Sequence, residues 1–214
     1  MAALAACIRG YWKHCNPGRG ECVIPLPLFP LRTVLFPGGL LPLRIFETRY
    51  LDMIGRCMRE GDPFGVLMIA QGGEVGAVES LAAVGTSARV VDFEKLSDGL
   101  LGILCRGDQR FRLHQRRTLA DGLNVGEVEW LPAPPHVVLT DAQRPLGAVL
   151  RKVIHEYGSL GRHLQPDFTD ASWVSFRFAE LLPLSRDLQQ RLLEIDDPAE
   201  RLELLAPMID SRQL

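Results

Sequence analysis

The sequence predicts an α+β fold in which a β-rich region with one embedded helix is followed by a helical region. Apolar runs of strand length, separated by Gly- and Pro-containing turns, dominate residues 23–131. From Thr140 onward, apolar residues recur at helical spacing. The Pro-Ala-Pro-Pro segment at 132–135 marks the boundary between these patterns. A chain of 214 residues is long enough to bury a sizeable core.

Proline limits what the first apolar run can form. Prolines recur along residues 24–46, and each one fixes φ and removes a backbone donor. This run therefore forms edge strands and turns instead of a buried helix. Residues 36–39, Phe-Pro-Gly-Gly, predict a turn with Gly38 at positive φ. That turn would bring Leu40–Phe46 back to lie near Val23–Leu28.

The embedded helix is predicted at Glu47–Glu60 and ends at Gly61. Its apolar face is predicted to carry Tyr50, Ile54, Cys57 and Met58. A buried strand at Phe64–Ala70 follows, because this short apolar run has strand length and β-branched residues.

Two Asp-Gly pairs predict an antiparallel meander over Val84–Leu131, with separate strands at Leu100–Arg106 and Phe111–Thr118. The second pair, read as a two-residue loop, places Leu113 opposite Trp130. We therefore expect Trp130 to be largely buried.

Four short helices are predicted in the helical region, each from its own local signal. These signals are the capping box Thr140–Gln143, the apolar run Ala171–Leu182, the N-cap Ser185 and the helix start Asp197-Pro198-Ala199-Glu200. Helices this short are marginal alone, so they must pack on one another or on the β-rich region.

The opening segment resembles the start of the N-terminal, substrate-recognition domain of Lon proteases. The residues that carry the resemblance are Leu26–Leu31, Phe36–Gly38, Pro42–Glu47 and Arg49-Tyr50. Two later segments, Val84–Phe111 and Leu182–Leu205, also look like that family. The resemblance covers about residues 22–209 and implies a free-standing bacterial form of the domain.

For the fold, the resemblance implies a PUA-like pseudobarrel with one embedded helix and a C-terminal helical annex. We predict a loosely ordered extension at 1–21, a β-rich subdomain at 22–132 and a helical subdomain at 133–214.

For function, the resemblance implies non-catalytic binding of unfolded or extended polypeptides, as an adaptor or a chaperone-like binder, with a protease as a further partner. Aromatic side chains beside an edge strand would form a peptide groove. The candidates are Phe29, Phe36, Phe46 and Tyr50. The competing interpretation is that most of them belong to the core.

Arginine is concentrated in residues 106–117. Arg110, Arg112 and Arg116 are predicted to project from one strand face and to receive an acidic partner or an RNA phosphate. The competing interpretation is cross-strand ion pairing with the acidic residues of the next strand. The patch and the PUA-like fold make an RNA-binding module the first alternative function.

No catalytic motif accompanies the resemblance: the sequence contains neither a G-x-S-x-G nucleophile elbow nor a phosphate-binding G-x-x-x-x-G-K-[ST] loop. Lon proteases carry their ATPase and peptidase on later domains. We therefore expect no enzyme activity, catalytic residue or cofactor. A small hydrolase with an unrecognised site is the second alternative. His14 with Cys7, Cys15 and Cys22 matches no zinc spacing, so no metal site is predicted.

Bulk properties narrow the partners further. The 24 basic and 26 acidic residues give a net charge of −2, which argues against general DNA binding. No apolar run reaches the length of a membrane span. The 5 cysteines are irregularly spaced and include no C-x-x-C pair, as in reduced cytoplasmic proteins.

Overall fold

The computed structural model describes residues 23–73, 78–156 and 158–210, so the predicted extension at 1–21 lies outside the described residues. The strands are β1 (Val23–Leu31), β2 (Leu40–Ile45), β3 (Phe64–Gly72), β4 (Val78–Leu81), β5 (Val84–Lys95), β6 (Leu101–Thr118) and β7 (Asn124–Trp130). The α-helices are α1 (Thr48–Glu60), α2 (Arg144–His155), α3 (Ala171–Leu181), α4 (Arg186–Glu194) and α5 (Pro198–Asp210), with a 3₁₀ helix at Gly158–His163. The predicted α+β class is confirmed.

Five of these strands close a barrel in the order β1-β7-β6-β5-β3, and β3 pairs with β1 in parallel to complete the ring. The other two strands extend the sheet, since β4 pairs with β3 and β2 pairs with the first half of β6. The turn at 36–39 forms as predicted, with Gly38 at φ 72° and Gly39 N donating to Phe36 O at 2.9 Å. However, β2 hydrogen-bonds to β6 and not to β1.

The strand β6 differs from the prediction, because it runs unbroken for 18 residues where two separate strands were expected. Irregularities in its pairing, between Thr86 and Ala88 on β5 and between Leu113 and Gln115 on β6, let one strand bend around the barrel. Through this bend β6 serves as the partner of β2, β5 and β7.

The predicted register of the β6–β7 hairpin is wrong. Leu119 N donates to Leu123 O at 2.8 Å, so the loop contains three residues, with Gly122 at φ 83°. The bulge between Leu113 and Gln115 shifts the pairing further, so Trp130 lies opposite Phe111, and their rings make an edge contact at 6.1 Å. Trp130 is half-buried, not largely buried as predicted.

Helix boundaries agree with the local signals except at α2, which begins at Arg144 and not directly after Thr140 as the capping box predicted. Gly61 ends α1 at φ 74°, the Ser185 hydroxyl accepts from Leu188 N at 3.3 Å, and the Asp197 carboxylate accepts from Ala199 N at 2.8 Å. One apolar position was wrong, because Met58 is exposed while Met53 is buried.

The apolar residues form one cluster that joins α1 to the strands, a smaller one near Phe111 and Val128, and a third between the sheet and the later helices. The third cluster joins strand and loop residues such as Phe36 and Val84 to helix residues such as Phe176 and Leu192. The helices therefore pack on the β-rich region through a shared core. The division of the chain at residue 132 stays a prediction. No helix within the described ranges is long and apolar enough to cross a membrane.

Buried arginines connect the helices to the barrel. Arg110 on β6 is 1% exposed and donates to Leu193 O at 2.9 Å and to the Asp196 carboxylate at 2.6 Å. Arg201 on α5 donates to the Ser175 hydroxyl at 2.9 Å. Its guanidinium lies 3.8 Å from the centre of the Phe176 ring.

Burial, together with the neighbouring charge of Arg110, lowers the pKa of Arg201 to about 10. Arg201 is nevertheless charged at neutral pH. Both guanidinium groups donate to Ile195 O, so the end of α4 is bound from the barrel and from α5.

The Arg110 contacts should stabilise the packing of the helices on the barrel. We expect Arg110→Ala to lower the free energy of unfolding by about 3 kcal/mol, because it removes the donor to the buried Leu193 carbonyl and the partner of Asp196. The control Arg112→Ala lies on the same strand at an exposed position and should change stability by less than about 0.5 kcal/mol. Urea denaturation measures both. Equal effects would show that Arg110 does not hold the helices.

Two cysteines should be protected by the fold. Burial raises the pKa of Cys57 to about 11 and that of Cys105 to about 12, where the Cys57 charge adds to the shift. Both thiols should resist alkylation at pH 8 in the native protein and react rapidly in denaturant. Mass spectrometry of the two peptides measures this, and rapid native labelling at Cys105 would contradict the packing.

Candidate functional site

Strand β2 presents an open edge. Among the described strands it hydrogen-bonds only to β6. Gly107 N donates to Gly39 O at 2.9 Å, which sets the alternation along the pair. The backbone groups of the odd-numbered residues of β2 therefore point toward β6, and those of the even-numbered residues point outward.

The outward edge is rich in acceptors and poor in donors. Pro42 has no N–H group, and the N–H of Leu40 donates to the Glu180 carboxylate on α3. The N–H of Arg44 is the remaining outward donor of the strand. Burial raises the pKa of Glu180, while the charge of Arg177 and the hydrogen bond from Leu40 oppose that rise.

An apolar crevice lies beside this edge, with a volume of about 320 Å³. We define the apolar crevice by its lining residues Phe29, Leu31, Ile45, Phe46 and Tyr50. The rings of Phe29 and Tyr50 stack at 4.0 Å in its wall. Phe46 is 60% exposed, so the crevice has one aromatic side chain available to a partner.

The wall of the crevice is fixed by Arg49. This side chain donates to Gly122 O at 2.7 Å and forms an ion pair with Glu47 at 2.7 Å. Its guanidinium also lies 4.7 Å from the centre of the Tyr50 ring. Arg49 therefore joins α1 to the β6–β7 hairpin and keeps Tyr50 in place.

A larger charged groove, with a volume of about 850 Å³, shares Pro42, Leu43 and Arg44 with the apolar crevice. It lies across the face formed by β2, β6 and β5. One row of paired residues runs Arg44–Gly102–Glu94, and the next runs Pro42–Leu104–Asp92. Gly102 lets the Leu96 side chain lie close to the sheet, since a Cβ atom there would be only 2.9 Å from the Leu96 Cδ2 atom.

Most of the charged side chains that line the groove are paired with one another. Arg44 pairs with Asp98, and Asp92 accepts from Arg162 at 3.1 Å with His163 at 3.3 Å. The hydrogen bond from Arg162 is the main cause of a lowered pKa at Asp92. The N–H of Leu100 is the main cause of a lowered pKa at Asp98. Both carboxylates are therefore charged at neutral pH.

The structure separates the predicted aromatic residues. Phe46 is exposed, while Phe29 and Tyr50 are buried with their stacked rings forming the crevice wall. Phe36 is fully buried and packs against Phe176 at 5.7 Å, so it cannot contact a ligand at the surface as predicted. The helices cover Phe36. The sequence around Phe36 does not show that they pack there.

The predicted arginine patch is also divided. Arg110 is buried beneath α4 and donates to Leu193 O, whereas Arg112 and Arg116 are exposed. Arg112 lies opposite Glu129, which forms an ion pair with His114 at 3.0 Å. Because Arg110 is buried, the three arginines do not form one exposed patch, and the RNA-binding alternative loses the feature that suggested it.

Sequence reasoning missed the charged groove. Arg162 donates to Asp92, which lies 70 residues earlier in the sequence, and no local motif predicts this contact. The alternation of side chains along the hairpin around Asp98-Gly99 could have placed Glu94 and Asp92 on the same face of the sheet. Within the described ranges, no three His, Cys, Asp or Glu side chains are grouped as metal ligands would be. The cysteines considered for zinc, with His14, lie outside those ranges.

Comparison with known families agrees with this architecture. The family model for the ATP-dependent protease La (LON) substrate-binding domain matches residues 25–211. The chain belongs to this family. The predicted resemblance to the Lon N-terminal domain is thereby confirmed over nearly all of the described residues.

Full-length relatives of the family are about four times longer than the matched part. The Lon protease of Xanthomonas oryzae is 28% identical over 211 residues, covering 88% of this chain and 23% of the relative. The Lon protease of Escherichia coli K12 is 27% identical over 210 residues, covering 92% and 26%. The chain thus spans about a quarter of the length of these curated relatives.

A solved structure in the family matches over nearly its whole length. The Lon N-terminal domain protein from Xanthomonas campestris is 40% identical and superimposes with a TM-score of 0.70. The match covers 86% of this chain and 97% of that protein. The barrel with its helical layer is therefore an architecture already observed in this family.

The crevice residues should separate into a surface residue and a core residue. We expect Phe46→Ala to change the free energy of unfolding by less than about 0.5 kcal/mol, because the side chain is exposed. Tyr50→Ala removes a buried stacked ring and should cost about 3 kcal/mol or more. Thermal and urea denaturation measure both, and a large loss for Phe46→Ala would place that residue in the core.

Proposed function

We propose that the chain is a non-catalytic module that binds extended, apolar-rich segments of unfolded polypeptides at the open edge of β2. The observation that carries the proposal is the juxtaposition of this edge with the apolar crevice and the exposed ring of Phe46. The substrate-binding domain family to which the chain belongs supports the same substrate class.

Binding would proceed by strand addition. The N–H groups of the bound segment donate to the outward carbonyls of β2, and its side chains alternate between solvent and the sheet. One apolar side chain enters the crevice and packs against Phe46 and the Phe29–Tyr50 stack. A native protein keeps its backbone groups paired internally, so unfolded clients are favoured.

The affinity should be modest. Pro42 and the Leu40–Glu180 contact leave few donors on β2, and the crevice is small. A dissociation constant in the micromolar range or weaker corresponds to about −8 kcal/mol or less in magnitude. Such reversible capture suits an adaptor or a chaperone-like binder that passes its client to a protease. The buried free thiols Cys57 and Cys105 support a reducing, cytoplasmic setting for this role.

The test is a titration of the purified protein with a permanently unfolded client and with the same client in its native form. Saturable binding of the unfolded client alone is expected, without cleavage over hours. Phe46→Ala should weaken this binding at least about fivefold, since burial of an aromatic contact contributes roughly 1 kcal/mol or more.

A pair of variants tests the role of the β2 backbone. Arg44→Ala keeps the outward N–H group, and Arg44→Pro removes it at an edge position that tolerates proline. The proline variant should bind about fivefold more weakly than the alanine variant, as expected for one lost hydrogen bond. Equal affinities would exclude strand addition at this edge. No binding of either client form, or cleavage of the client, would overturn the proposed function.

A further inference from the structure

We infer that the charged groove makes binding selective for polypeptides that carry a Lys or Arg a few residues from the apolar anchor, with Glu94 as the residue that determines this preference. The inference rests on the proposed function, because it concerns the same bound chain. It adds a charge requirement to a site otherwise defined by backbone and apolar contacts.

The carboxylates of the groove outnumber its guanidinium groups. Asp92, Glu94 and Asp98 line it together with Arg44 and Arg162. Arg44 and Arg162 pair with Asp98 and Asp92, respectively. Glu94 forms no ion pair with any residue in the described ranges, and its side chain is exposed. One negative charge in the groove is therefore available to a ligand.

The shape around Glu94 suits a long cationic side chain. Gly102 lies directly across from Glu94, and its lack of a side chain lets the stem of Glu94 lie over the sheet, 3.3 Å from where a Cβ atom would be. Leu43, Ile103 and Leu104 contribute apolar surface to the same groove. Lys and Arg have aliphatic stems that pack on apolar surface while the charged end reaches a carboxylate. A short anionic side chain would gain neither contact.

Strand geometry sets the spacing between the two contacts. A segment added outside β2 lies three strand positions from β5, or about 14 Å at roughly 4.8 Å per position. A chain that leaves the β2 edge after its apolar anchor and then crosses the groove in an extended conformation covers that distance in about four residues at roughly 3.3 Å each. The preferred cation is therefore about four residues from the apolar anchor, not adjacent to it.

Synthetic peptides test this spacing directly. A 12-residue host of Gly, Ser and Thr carries a Phe-Leu anchor, with Lys, Gln or Glu placed four residues away, and a fourth peptide has Lys next to the anchor. Fluorescence anisotropy at low salt should give affinities about threefold higher for Lys than for Gln at the distant position. That factor is of the order expected for one exposed ion pair. The Glu peptide should bind most weakly, and added salt should reduce the differences.

Variants of the protein assign the preference to one residue. Glu94→Gln should remove the difference between the Lys and Gln peptides, and Glu94→Lys should reverse the order of the Lys and Glu peptides. Glu127→Lys makes the same change in net charge at an exposed position on β7, away from the groove, and should keep the wild-type order.

The outcomes separate the two proposals. Binding of all peptides with no dependence on charge or position, or the same order in Glu94→Lys as in Glu127→Lys, would overturn the inference and leave the proposed function standing. Failure of the wild-type protein to bind any peptide or the unfolded client would overturn the proposed function itself.

Discussion

The docking of the helices on the barrel depends on a few buried guanidinium groups. A buried arginine must place its N–H groups on acceptors, so it permits few relative positions of the elements that supply them. Arg110 receives its acceptors from the end of α4, and Arg177 on α3 donates to Pro37 O in the turn that leads into β2. The same helix supplies Glu180 to Leu40. The helical layer thus also determines where the open edge of β2 begins.

Local features of the fold could be predicted because their causes lie within a few residues. Gly38 and Gly61 take positive φ, and Ser185 begins a helix, for reasons contained in the adjacent sequence. Strand pairing was harder. One additional residue in the loop before Leu123 and a bulge between Leu113 and Gln115 shifted the β6–β7 register, and the Asp-Gly pair alone reveals neither. The pairing of β2 with β6 depends on the closed barrel, which no short segment encodes.

The candidate site shows the same division. The sequence indicated aromatic side chains near an edge strand, and Phe46 fits that expectation. Periodicity could not show that Phe36 and Arg110 would be covered by helices more than sixty residues away, because exposure on a strand face depends on what packs there. Glu94 belongs to a hairpin that was expected, yet the role that we propose for it depends on Arg44 and Arg162, which the fold brings from two distant segments.

The scarcity of donors along β2 has a consequence for how copies of the protein behave toward one another. An exposed strand edge is normally a template for polymerisation, since every added strand presents a new edge. Two copies of β2 facing each other would each contribute the Arg44 N–H alone, as Pro42 has none and that of Leu40 already binds Glu180. They could not form a continuous ladder. Fibre growth through this edge is therefore disfavoured, whereas the extended segment that we propose as a ligand would bring its own N–H groups.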